Sequence, residues 1–177
     1  MAKKVYNLQA IFEDDLTTPT STQNPQYLLG DTIKIADSAN PTSQKVFMYV
    51  KAHAALTAYQ PYVISYAYTA GAEVVTAAPA TQTSPIVTVC VPQVAFTSGY
   101  FGFVQIQGYC TLKMSAETYA SGDPLEVINT GATFLVNGTS GTPLIDNKTA
   151  AICGATGSSA ASVAGYLLGV KVQNAAA

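Results

Sequence analysis

The 177-residue chain has no arginine and no tryptophan, a single histidine, His53, and only 10% charged residues. Soluble domains carry about 25% charged residues, so this surface must be covered mostly by Thr, Ser, Asn, Gln and Gly. Eight lysines against ten acidic residues leave a net charge of −2, with no clustered positive field to neutralise phosphates. The longest basic cluster, Lys3-Lys4, reads as an ordinary solvated terminus. Nucleic acid is therefore not an expected partner. Neither is a membrane, because no apolar run approaches the roughly 18 residues of a span, and Val46 to Val50 and Ile86 to Val91 are strand-sized. The start, MAKKVYNLQAIFEDDL, is interrupted by Asn7, Gln9 and three consecutive acids. It lacks the apolar core of a secretory signal, and the expectation is a protein that stays in the compartment where it is made.

The inventory for catalysis is nearly empty. Cys90, Cys110 and Cys153 are an odd number at wide intervals, which matches neither a disulfide framework nor paired zinc ligands. They read as small buried hydrophobes. His53 lies in KAHAAL with no nucleophile motif beside it, and a serine or cysteine nucleophile usually wants such a base next to it. Glu13, Asp14 and Asp15 are adjacent, so in an extended segment they point to opposite faces and do not converge on a substrate. Asp123, in SGDPL, reads as a turn former with Pro124 presetting φ. GATGSS at 154–159 lacks the ending of a phosphate loop, and GTSGT at 138–142 lacks the spacing of a nucleophile turn. No catalytic residue, cofactor or metal ligand is assigned, and an enzyme is the weakest functional class.

Helical periodicity is scarce and strand-like pieces recur between turns, which predicts a mainly β protein. In Val5 to Phe12, Tyr6, Leu8, Ala10 and Phe12 share one face. Glu13 to Gln26, almost purely polar with two prolines, reads as an extended arm or surface loop. Further strands are predicted at Thr32 to Ala36, Lys45 to Lys51 (VFMYV, buried on both faces), Tyr62 to Tyr68 and Ile86 to Val91. KAHAALTAY is left open between a loop and a short helix, and the Ala- and Thr-rich stretch after Tyr68 reads as a link. The remainder predicts strands at Tyr100 to Gln107, Tyr109 to Met114 after a turn at Gly108, Leu125 to Ile128, Thr133 to Val136, Ala150 to Cys153 and Tyr166 to Val172. Asn129-Thr130-Gly131 and Asn137-Gly138 supply hairpin turns. The division expected is a strand and arm over 1–30 and one β-rich domain over 31–177, most regular over 99–172.

Four stretches, GYFGFVQIQGYC (99–110), ASGDPLEVINTG (120–131), AAICGAT (150–156) and GYLLGVKV (165–172), together resemble the decoration or cement proteins of tailed-phage capsids, including the β-tulip type. The resemblance implies a small β-barrel or β-sandwich with an N-terminal arm. It also implies a non-enzymatic role on the outside of an icosahedral virion, bridging neighbouring major capsid protein subunits as a homo-oligomer, commonly a trimer. Synthesis in the host cytoplasm follows. No site residues transfer with it. From the residues themselves, Tyr6, Leu8 and Phe12 are candidate partner contacts, since a strand-competent arm is able to add to a neighbour's sheet edge. Another β-rich virion component (tail tube, head completion or head-fibre attachment) and an exported binding module or adhesin remain alternatives.

Overall fold

The computed structural model describes residues 16–37, 43–67, 72–76, 86–127, 133–136, 149–169 and 171–173. The mainly β expectation holds. The alternating segments form strands β1 (Thr32–Ala36), β2 (Gln44–Ala52), β3 (Tyr62–Ala67), β4 (Ala72–Thr76), β5 (Ile86–Cys90), β6 (Phe101–Lys113), β7 (Pro124–Val127), β8 (Phe134–Val136), β9 (Thr149–Cys153), β10 (Ser162–Leu167) and β11 (Lys171–Gln173). Every strand pair is antiparallel except β2 with β4.

Two sheet paths share β6. The first runs β6, β2, β4, β3, β5, with β1 alongside β2 and β11 on β5. Reciprocal bonds between Val91 and Gln105 (2.8 and 3.1 Å) return β5 to β6 and close that path. The second runs β6, β10, β9, β7, β8. It returns to the end of β6 through the Met114–Phe134 bridge and a bond from the Ser115 N–H to the Phe134 carbonyl (3.0 Å). Closure leaves few unpaired strand edges, which is how small β folds avoid edge-to-edge association.

Sequence alternation fixes what each strand buries. Met48, Val50, Tyr62, Ile64, Cys90 and Val104 fill one core with Leu56 and Phe96. Val63, Val89 and Val91, on the opposite face of β3 and β5, join Leu112, Met114, Leu125, Phe134 and Leu167 in the second. The β3–β5 pair is thus the wall between the two cores, and its described side chains are buried on both faces, all apolar but Thr88. VFMYV behaves as expected: Met48 and Val50 face inward while Phe47 and Tyr49 join Tyr27, Ile33 and Phe103 in a third cluster.

The structure corrects four readings. Gly108 does not end a strand: β6 continues through it for 13 residues. The glycine lets the strand bend, with φ +97° and a hypothetical Cβ only 2.4 Å from the Gln44 carbonyl oxygen. The register with β2 slips at the same place, between Val46 and Phe47. A bulge thus transfers β6 from one sheet to the other. The stretch expected as one strand over Tyr166 to Val172 is broken at Gly169, φ +69°, into β10 and β11. Part of the Ala- and Thr-rich link forms β4. KAHAALTAY forms no helix; Lys51 and Ala52 end β2, and the rest is a loop held by the reciprocal Leu56–Phe96 bonds (3.0 and 2.9 Å), where Ala propensity yields to tertiary pairing. The strand expected over Val5 to Phe12 and the turns at Asn129-Thr130-Gly131 and Asn137-Gly138 lie outside the described residues.

Candidate functional site

The outer face of the second sheet carries a row of apolar side chains, Tyr109 exposed and the others half-buried. Tyr109 of β6 stands directly opposite Tyr166 of β10, Tyr166 opposite Ile152 of β9, and Ile152 opposite Pro124 of β7. Directly opposed residues share a face, so the four line up across the sheet. The two rings meet edge to face, 5.0 Å between centroids and 85° between planes. Tyr109 is 44% exposed. The alternate residues Leu112, Leu125, Ala151 and Leu167 turn to the core, so the outward row is fixed by the pleat.

The corresponding outer face of β2 and β6 is covered. Leu16 and Thr17 form a helical turn, Thr20 exchanges two 2.8 Å backbone bonds with Phe101, and the chain then crosses back over the sheet toward β1. Tyr27 packs against Phe103 at 4.9 Å and Tyr49 at 5.2 Å between centroids. The Tyr49 hydroxyl accepts the Asn24 N–H at 2.9 Å. The dimple left between this segment and the sheet has a volume of about 20 Å³, far below the roughly 300–1,000 Å³ of small-molecule sites. Lys51 lies 5.4 Å from the Phe101 ring centroid.

The sequence-level candidates do not converge. His53 is exposed in the loop after β2. Ser98 donates its hydroxyl to the His53 backbone carbonyl at 3.2 Å and so is engaged by main chain, not by the imidazole. Asp123 is the turn former expected: its Oδ2 accepts the Ala120 N–H at 2.7 Å and its own N–H returns to the Ala120 carbonyl. The three cysteines are free thiols. Burial pushes Cys90 well above its ordinary range and raises Cys110 to about 12, with the Leu167 backbone and Lys45 opposing only in part. These are inert thiols, since the thiolate is the reactive form. Among the described residues no group of three or more His, Cys, Asp or Glu gathers into a metal site, and no helix is long and apolar enough to cross a membrane. Tyr6, Leu8 and Phe12, like Glu13, Asp14 and Asp15, lie outside the described residues.

The row of Tyr109, Tyr166, Ile152 and Pro124 was missed in the sequence. Both tyrosines were placed on strands, but their adjacency depends on strand register between distant segments.

No family model matches the sequence, and no curated protein matches it. Among solved structures the chain is similar to the head fibre gp8.5 N base of bacteriophage phi29, at 13% identity and a TM-score of 0.49, over 73% of this chain and 99% of that one.

Proposed function

We propose that this chain is a non-enzymatic structural protein of a phage particle, decorating the outer surface of an icosahedral capsid and stabilising it by bridging neighbouring capsid subunits. The observation that carries the reading is the outer sheet face bearing Tyr109 and Tyr166. The exposed Tyr109 packed on the half-buried Tyr166, in line with the half-buried Ile152 and Pro124, provides apolar area of the kind found at an interface core. The resemblance of residues 99–172 to capsid decoration proteins supports the same assignment, with the major capsid protein as partner and a homotrimer as the expected order.

The test is co-sedimentation of the full chain with purified particles, with imaging to locate its density. Tyr109→Ala and Tyr166→Ala each remove an aromatic anchor and should weaken binding about tenfold or more, with unchanged circular dichroism. Failure of the chain to sediment with particles, or equal binding by both variants, overturns the reading.

A further inference from the structure

Strand β1 has β2 on one side and, among the described residues, no strand on the other. The phase of its ladder is set by the bonds from the Tyr49 N–H to the Asp31 carbonyl (2.9 Å) and from the Asp37 N–H to the Ser43 carbonyl (3.0 Å). Bonded and non-bonded pairs alternate in an antiparallel ladder. Ile33 and Ile35 therefore address β2, and the backbone groups of Thr32, Lys34 and Ala36 point outward. The side chains of these three are exposed. Leu28, 63% exposed, sits on the turn leading into this edge.

We propose that the open edge of β1 receives residues 5–12 of a second copy of this chain as an added strand. Two properties of the sequence match the edge. Paired strands place opposite residues on one face, so Tyr6, Leu8, Ala10 and Phe12 in line with Ile33 and Ile35 extend the apolar layer of Tyr27, Tyr49 and Phe103. Ile35 is only partly buried in the single chain and gains cover. Asn7 and Gln9 then align with the solvent side of Thr32, Lys34 and Ala36. Lys34 stands exposed at the middle of the edge. A lysine at this position discourages indiscriminate edge pairing.

The geometry favours another copy over the chain's own N-terminus. Thr20 is bonded to Phe101 on the edge of β6 away from β2, whereas β1 lies beyond β2. The face between them is already crossed by residues 23–31, which pack on it through Tyr27. A strand from the same chain would have to pass over that segment; a strand from a neighbour would not.

The experiment is sedimentation velocity on the full chain without particles, so its failure leaves the assignment to a capsid surface standing. A concentration-dependent oligomer is expected. Lys34→Pro removes an outward N–H and no bond to β2; Leu8→Pro breaks the donor without touching the described core. Each should weaken association about tenfold or more. Lys34→Cys chains mixed with Gln9→Cys or Asn7→Cys chains should give disulfide-linked heterodimers on oxidation. A monomer at all concentrations, an oligomer indifferent to both proline substitutions, or cross-links formed only within chains carrying both cysteines would each overturn the proposal.

Discussion

Gln105 is 1% exposed, and its amide nitrogen donates to the carbonyls of Gln107 (3.0 Å) and Tyr109 (2.9 Å), bracing both sides of the bend at Gly108. Gln105→Leu removes this donor from two partly buried carbonyls and should cost about 1–2 kcal/mol in chemical denaturation. Gly108→Ala combines a left-handed backbone with a collision against main chain that has no rotamer to relieve it, and a loss of at least about 2 kcal/mol is expected by the same measurement. The thiols give a pH dependence of definite sign. Cys90 and Cys110 hold their protons in the folded chain to higher pH than the ordinary value of 9.0. Their stability contribution is therefore complete below about pH 9 and declines above it, by about 1.4 kcal/mol per pH unit for each thiol that ionises only on unfolding. For Cys110 the decline runs toward pH 12. Comparing urea midpoints of the parent and Cys110→Ala between pH 8.5 and 10 checks this; the variant should show the shallower decline.

At the scale of elements, the third cluster depends on the crossing segment. Tyr27→Ala removes a side chain that is 8% exposed and touches two rings, and should cost about 2–4 kcal/mol, with increased binding of a hydrophobic dye. Tyr49→Phe removes the acceptor for the Asn24 N–H and should cost at least about 1 kcal/mol. The burial of VFMYV on both faces and the turn at Asp123 were legible in the sequence, because strand patterning and turn chemistry are local. Gly108 was misread for a physical reason: a glycine with positive φ serves a hairpin and a bulge equally well, and only the Gln44 main chain beside it distinguishes them. Strand β4 escaped notice because AEVVT is short and lies among residues of weak strand preference; its place is decided by β2 and β3 on either side. Tyr109 and Tyr166 were legible as strand residues but not as neighbours.

For the whole molecule, β6 belongs to both closed paths and the β3–β5 wall serves both cores. Neither half keeps its lining without the other, so unfolding is expected as one cooperative transition. Calorimetric and van't Hoff enthalpies should agree, and Val50→Ala and Leu112→Ala, from different cores, should lower the same midpoint. Two resolved transitions would contradict it. The shared strand also has a mechanical consequence. β6 is bonded to β2 and then β10 along its length, and to Thr20 and Val91 besides. A pull along its axis therefore loads many bonds in shear together instead of peeling them in turn, and the chain should yield under tension at its ends before this central strand slips.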